Sequence, residues 1–195
     1  GHYNMEAKTF KNLGGSIRFN AGVTELLTSD QKVSGVIVGG EKYKADAVIL
    51  ACGGFEANNK LREEEFGLDW NKAKVRGTPH NTGDGLTMAF ALGAQRYGKF
   101  DGCHATPMGL HMKDFGNLEI PPKQRKNYRK ICYFLGVMLN AYGSRFVDEG
   151  KNFRNYTYAQ FGRAVLEQPE HFAWQIFDSK AVSYTHLTLP TMELV

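Results

Sequence analysis

The chain has 195 residues, of which 42% are hydrophobic and 23% are charged, and its formal net charge is +4. These values are typical of a globular protein: no stretch approaches the ~18 consecutive apolar residues of a membrane span, and the charge is too small to indicate nucleic acid binding. The three cysteines lie far apart and outside any C-x-x-C pair, which indicates neither a disulfide framework nor a zinc site and favours a cytoplasmic protein.

The first predicted elements are a helix and an antiparallel meander. Residues 2–13 carry apolar side chains at helical spacings and end at the pair Gly14-Gly15, as a helix does. Three segments rich in β-branched residues follow, at 16–20, 23–29 and 32–38. The opening letters "GHYNMEAK" show no secretory signal, which also favours the cytoplasm.

The next segment, "ADAVILACGG" at 45–54, is a continuous apolar run that ends in Gly53 and Gly54. An apolar run without alternation predicts a strand covered on both faces, as in the interior of a parallel sheet. Two glycines at its end permit a ligand to approach the backbone closely, because neither has a Cβ. Taken alone, the pair favours a tight turn between a strand and a helix.

Two helices are predicted next. Asn58 is placed to cap a helix over 58–66, and "GDGLTMAFALGA" predicts a second helix that ends before Gly93. The letters "NTGDG" put the Asp84 carboxylate and free backbone N–H groups together at the start of the second helix. An aspartate there is by default an N-cap, so only its combination with the upstream glycines indicates a ligand.

The composition changes after residue 98, where glycine, histidine, methionine and proline become frequent, and we predict a domain boundary there. Beyond it we expect a hairpin with its turn at 141–144, a helix from about Tyr156 to Glu167, and a strand in "FAWQIFD". The final stretch, 181–195, resembles a translated cloning linker, so we exclude it from the fold as a non-native tail. The alternative is a native C-terminal strand.

Four stretches occur in a characteristic order: "KADAVILACGGFEANNKL", "GTPHNTGDGLTMAFALGA", "GCHATPMG" and "GVMLNAYGSRFVDE". Together they resemble the flavoprotein subunits of fumarate reductase and succinate dehydrogenase and their soluble relatives. Within that family, "RFVDEGKNFRNYTYAQFGRAVLEQP" is most similar to the tricarballylate dehydrogenase branch. The resemblance implies an α/β fold, with a partial FAD-binding, glutathione-reductase-like domain over 1–98 and part of an α+β capping domain over 99–180.

The resemblance also implies FAD as the cofactor. It assigns six residues to FAD: Val23, Gly53, Gly54, Thr82, Gly83 and Asp84. Val23 corresponds to a strand whose backbone touches the adenine, and the glycine pair corresponds to close approaches near the phosphates and ribose. Asp84, in the T-G-D triplet of the family, is expected to contact the flavin most directly.

Two residues are assigned to catalysis by the same resemblance. His104 matches the substrate-binding histidine of the family, and Arg154 takes the place of the arginine that exchanges a proton with the substrate carbon. From its side chain alone Arg154 would be a carboxylate clamp, because a guanidinium holds its proton at ordinary pH. The implied reaction is the dehydrogenation of tricarballylate or a similar di- or tricarboxylate to its alkene, with hydride passing to the flavin. No metal is expected, and the electron-transfer partner stays unidentified.

Two alternatives stay open. A fumarate-reductase-like alkene reductase is one, although the position of that family's Glu-Arg proton relay holds Arg129, Lys130 and Cys132 after a longer insertion. The other is an inactive internal fragment, because the G-x-G-x-x-G turn that opens family members and the second flavin segment that closes them are both missing from this sequence. The basic run at 121–130 is either a solvated loop or a positively charged lip that attracts a carboxylate substrate.

Overall fold

The computed structural model describes residues 2–116, 120–121, 128, 130 and 132–181. The chain forms two compact units. Unit 1 comprises Gly1–Cys52 and Asp84–Gln95, and unit 2 comprises Gly53–Gly83 and Arg96–Val195. The predicted division at residue 98 stays a prediction, and the predicted tail lies outside the described residues except for Ala181.

Unit 1 begins with a helix and an antiparallel three-stranded sheet. Its elements in chain order are α1 His2–Asn12, β1 Val23–Ser29, β2 Lys32–Val38 and β3 Glu41–Lys44. Strand β2 lies in the middle and pairs with both neighbours, while Leu26 of β1 is buried. The predicted helix and the two strands β1 and β2 are therefore confirmed.

The third strand of the meander differs from the prediction. Residues 16–20 form no strand, and β3 pairs with β2 instead. The cause is the turn at Gly39-Gly40, where φ is +58° and +86°. Two adjacent positive φ angles form the tight turn that suits the twist of a hairpin, so the chain reverses at once and β3 lies next to β2.

The apolar run after β3 was predicted to be a buried strand, and that prediction is wrong for the described structure. Residues 45–52 have no strand conformation, and Ile49 is 90% exposed. A strand needs a hydrogen-bonded neighbour, and among the described residues only one bond, from Ala45 N to Ser34 O at 3.0 Å, continues the ladder. On one side of the run, Val48 and Leu50 line an apolar groove together with residues of β1 and α3, and Leu50 is 44% exposed there.

The predicted central helices are confirmed as α2 Asn59–Phe66 in unit 2 and α3 Asp84–Ala91 in unit 1. Asn58 caps α2, since its side chain accepts a hydrogen bond from Leu61 N at 3.1 Å. One turn later, the buried Arg62 guanidinium donates to the carbonyl of Ala73 at 2.6 Å. The cap and this bond fix both the start of α2 and the loop that follows it.

The rest of unit 2 packs around a small core of Tyr133, Met138 and Phe161. Its helix and strands are β4 Val137–Leu139, α4 Arg154–Leu166 and β5 Trp174–Ile176, and β4 pairs antiparallel with β5. The predicted helix and the strand in "FAWQIFD" are thus confirmed, although α4 begins two residues earlier than expected. No helix among the described residues is long and apolar enough to cross a lipid bilayer.

The predicted hairpin forms only at its turn. Asn140 N donates to Ser144 O at 2.9 Å, and a single bridge joins Leu139 to Arg145. The ladder does not continue, because Met138 N donates to the Glu149 carboxylate at 2.5 Å instead of to a neighbouring strand. Strand β4 therefore takes β5 as its partner.

Glu149 makes this arrangement depend on pH. Its side chain is almost fully buried, and it accepts hydrogen bonds from Met138 N and the Arg145 guanidinium. Burial alone raises the pKa of the Glu149 carboxyl, but these two donors outweigh burial and hold the pKa below its usual value. A lowered pKa stabilises the fold above the pKa of the unfolded chain, about 4.3, and this stability is lost as pH falls through the folded pKa.

We therefore expect Glu149→Gln to reduce the free energy of unfolding at pH 7 by about 1–3 kcal/mol. The deficit should shrink as pH falls below about 4, because the wild-type carboxyl is then protonated as well. Urea denaturation of the two proteins across this range measures it. Glu167→Gln, which removes an exposed partner of Arg163, serves as the control with little change, and a deficit that stays constant down to pH 3 contradicts the account.

Candidate active site

Two glycine-containing segments of unit 2, residues 53–58 and 81–83, lie side by side, and we call them the paired segments. Four hydrogen bonds join them: from Gly83 N to Gly54 O at 3.1 Å, from Ala57 N to Asn81 O at 2.9 Å, from Asn58 Nδ2 to Thr82 O at 3.0 Å and from Asn81 Nδ2 to Glu56 Oε1 at 2.5 Å. The Asn58 side chain thus caps α2 and also holds the second segment. The structure brings together the glycine pair and the T-G-D stretch up to Gly83; their binding of FAD stays a prediction.

The glycines of the paired segments have different roles. Gly53 has a φ of +79°, and a Cβ there would lie 2.7 Å from Asn81 Oδ1; Gly83 has a φ of +88° and a Cβ would lie 2.9 Å from Leu61 Cδ1. Both positions need glycine for the fold itself. Gly54 has no positive φ, and a Cβ would meet only the end of the flexible Glu56 side chain, at 3.2 Å. Gly54 is therefore the one of these three glycines whose lack of a side chain is not required by internal packing.

Two other predicted cofactor residues, Val23 and Asp84, both lie in unit 1. Val23 opens β1 and pairs with Val38, and Asp84 is the exposed first residue of α3. Behind Asp84, Cys52 packs directly on the helix start, since a Cβ on Gly85 would lie 2.3 Å from Cys52 Sγ. The N-terminus of α3 thus combines a carboxylate with the N–H groups of a helix start.

His104 lies against helix α4. Its ring is 4.9 Å from the ring of Tyr158, measured between centroids, with 58° between the ring planes. The backbone next to it also rests on α4, because a Cβ on Gly162 would lie 2.3 Å from the carbonyl carbon and oxygen of Ala105. His104 is consequently held over the first half of α4 while its side chain stays exposed.

Arg154 is the first residue of α4 and lies on the same face as Tyr158. Residues four apart are neighbours on a helix surface, with about 5–6 Å between their Cβ atoms. The Arg154 carbonyl accepts hydrogen bonds from Tyr133 Oη at 3.4 Å and Thr157 Oγ1 at 3.3 Å. Since Tyr133 is buried, and burial raises the pKa of its phenol, the tyrosine stays protonated and anchors the start of α4. The structure thus places both predicted catalytic residues within one helical turn of Tyr158.

The segment after His104 is also fixed. Lys130 N donates to Pro107 O at 2.8 Å, and Gly109 N donates to Tyr128 O at 2.7 Å. Most of the basic run at 121–130, including Arg129, lies outside the described residues. Within the part of the chain that the structure describes, no group of three or more His, Cys, Asp or Glu side chains is arranged to hold a metal ion.

Comparison with known families identifies the chain. Residues 5–186 match the FAD binding domain family, which is nearly the whole sequence. The chain belongs to the FAD binding domain family. FAD is therefore its cofactor, and the resemblance to the fumarate reductase group is confirmed at the level of the family.

Relatives of this FAD-binding chain include enzymes named for both directions of carbon–carbon redox chemistry. It is 28% identical over 189 residues to a probable fumarate reductase of Shewanella frigidimarina, covering 89% of this chain and 28% of that protein. It is 30% identical over 131 residues to 4-oxocyclohexanecarboxylate 2-dehydrogenase of Sinomonas cyclohexanicum, covering 64% and 21%. The chain therefore spans about a quarter of the length of these curated relatives.

A solved structure supports the same fold. The open conformation of a flavocytochrome c3 fumarate reductase superposes with a TM-score of 0.65 and 26% identity, covering 93% of this chain and 30% of that one. The observed mixture of helices and strands agrees with an α/β flavoenzyme fold. The tricarballylate branch is not distinguished by these comparisons.

Sequence reasoning missed three residues of the site. Tyr158 and Gly162 follow Arg154 at intervals of four along α4, so a stripe of one helix face was visible in the sequence. What it did not reveal is that residues 104–106 pack on this stripe. Asn81, whose side chain fills the space beside Gly53, was missed for the same reason.

The different roles of Gly53 and Gly54 give a test of the FAD-binding residues. In a full-length protein that contains this chain, Gly54→Ala should weaken FAD binding by about tenfold or more, about 1.4 kcal/mol, and leave the stability of the apoprotein unchanged. Gly53→Ala should lower apoprotein stability by about 1–3 kcal/mol, because of its positive φ and the contact with Asn81. Flavin titration and urea denaturation separate the two effects.

Gly77→Ala is the matched control, because a Cβ there meets only Val75 Cγ1, at 4.0 Å, and φ is not positive. It should change neither quantity. Wild-type FAD affinity in Gly54→Ala would remove Gly54 from the cofactor site.

Proposed function

We propose that the protein containing this chain is an FAD-dependent dehydrogenase that converts tricarballylate, or a similar polycarboxylate, to its alkene. The observation that carries the proposal is the placement of His104 on Tyr158, one turn along α4 from Arg154. An imidazole and a guanidinium close together are suited to hold a carboxylate, because both donate hydrogen bonds to it and one carries a permanent charge. Membership of the FAD binding domain family supports the redox part of the proposal.

In this proposal FAD, when bound, supplies the acceptor for a hydride that leaves one substrate carbon. The chain contributes the paired segments, Val23 and the Asp84 end of α3 to hold the cofactor. The fit is good at Gly54, which carries no side chain although internal packing does not require its absence. It is also good at the start of α3, where N–H groups suit a phosphate or a ring acceptor.

His104 and Arg154 act on the substrate. His104 donates from its exposed ring edge to one carboxylate and fixes the position of the substrate. Arg154 binds a second carboxylate or, as the family resemblance implies, takes up the proton from the neighbouring carbon, which requires that the guanidinium first gives up its own proton to solvent. A hydride leaves one carbon and a proton leaves the next. The electron pair of the C–H bond that loses its proton then forms the second bond of the new C=C.

A second candidate function is the reverse reaction, the reduction of a fumarate-like alkene. The similarity to a probable fumarate reductase and to the flavocytochrome c3 fumarate reductase structure favours it equally. The same residues serve both directions, because the carboxylates and the reacting carbons are the same. Assays with a reduced dye as electron donor and an oxidised dye as electron acceptor, on one preparation, determine which direction runs faster.

A third possibility concerns this polypeptide alone. It spans about a quarter of its curated relatives, so we propose that by itself it lacks part of the FAD contact surface and does not hold stoichiometric flavin. A purified chain with a one-to-one flavin absorbance band would contradict this.

Arg154 provides the direct test of the proposed chemistry. In the full-length protein, Arg154→Ala should reduce turnover of tricarballylate or fumarate by about 10²–10⁴-fold, the usual effect of losing a group that transfers a proton in the reaction. The flavin absorbance should be unchanged, because Arg154 is not assigned to FAD. Steady-state rates and flavin content are the measurements.

Gln160→Ala is the control, because Gln160 is an exposed residue on another face of α4, and it should retain turnover. Arg154→Lys separates the two roles, since lysine keeps the charge of a clamp but not the geometry of a guanidinium. Turnover retained in Arg154→Ala would remove Arg154 from the reaction.

A further inference from the structure

We infer that Tyr158 is a positioning residue for His104, and that it sets the affinity of the enzyme for carboxylate substrates. The inference rests on the proposed function, in which His104 binds the substrate. Its basis is the contact between the two rings, whose centroids are 4.9 Å apart and whose planes are tilted by 58°. A tilted arrangement at this separation is a favourable geometry for two aromatic rings.

The contact between the rings restrains the imidazole of His104 without using its polar atoms. Among the described residues, none hydrogen-bonds the imidazole nitrogens. Both nitrogens are therefore available for a carboxylate. A hydrogen bond from the protein to one nitrogen would have left only the other for the substrate.

Tyr158 is itself held firmly. It is half-buried and packs against the core of Tyr133, Met138 and Phe161. Its position on α4 is fixed from both sides along one helix face. Four residues earlier, the Arg154 carbonyl accepts hydrogen bonds from Tyr133 and Thr157. Four residues later, Gly162 leaves room for the backbone of Ala105. The tyrosine is therefore held by the core and in turn holds the His104 ring in position relative to Arg154.

The simplest competing explanation is that Tyr158 only completes the core. The two explanations differ in what a variant does to substrate affinity. A purely structural tyrosine would change stability alone, whereas a positioning tyrosine changes KM through His104. The phenol oxygen has no role in the contact between the rings, so a phenylalanine at position 158 should position His104 as tyrosine does.

The test uses the full-length FAD-loaded enzyme with tricarballylate, or with fumarate if reduction is the faster direction. Tyr158→Leu should raise KM about three- to tenfold, the range expected for loss of an aromatic pair. The kcat value and flavin content should change little. Tyr158→Phe should retain the wild-type KM. Tyr156→Leu, which alters an exposed aromatic residue on the opposite side of α4, is the control and should also retain it.

A double-mutant cycle with His104→Ala shows whether the effect passes through His104. We expect His104→Ala to raise KM, and Tyr158→Leu to add nothing further in that background. If His104→Ala leaves KM unchanged, the proposed role of His104 is wrong. If His104→Ala raises KM but Tyr158→Leu does not, or if the two effects multiply, the inference about Tyr158 is overturned while the proposed function stands. Should Tyr158→Leu fail to fold, Tyr158→Met, which fills a similar volume without a ring, decides the question.

Discussion

The contact between Gly162 and the backbone of Ala105 is the constraint on which the candidate site depends. Glycine in the middle of a helix costs about 1 kcal/mol relative to alanine. In α4 it permits a backbone segment to lie where a Cβ would be 2.3 Å from its carbonyl group. This close approach places His104 over Tyr158 and thus one turn from Arg154. Any larger residue at 162 would lift the segment away from the helix.

Glycine has the same kind of role in the paired segments, where the absence of a side chain makes room for neighbouring protein groups. Gly53 accommodates Asn81 and Gly83 accommodates Leu61, and both have positive φ. Of these three glycines, only Gly54 has neither a positive φ nor a rigid neighbour at the position of a Cβ. A glycine pair at the end of an apolar run therefore combines one structural residue with one candidate ligand contact, and the two interpretations offered by the sequence each apply to one glycine.

Elements with local signals could be predicted from the sequence, and elements that depend on distant partners could not. Helix α2 has its cap at Asn58, and α3 follows the T-G-D stretch, so both were found close to their observed bounds. The run at 45–52 has the composition of a strand, but in the described chain only Ala45 hydrogen-bonds to a neighbouring strand, and composition cannot supply a partner for the rest. Similarly, His104 and Arg154 were recognised by resemblance, but their common seat on α4 is a contact between distant segments that no local pattern encodes.

The central claim is that His104 and Arg154 form one carboxylate-binding site on α4 in an FAD enzyme. The most direct test is a crystal structure of the full-length, FAD-loaded protein with tricarballylate bound. The account predicts carboxylate oxygens within about 3.2 Å of a His104 ring nitrogen and of the Arg154 guanidinium, with the His104 ring still on Tyr158. A substrate bound elsewhere, with neither residue contacting a carboxylate, would contradict it.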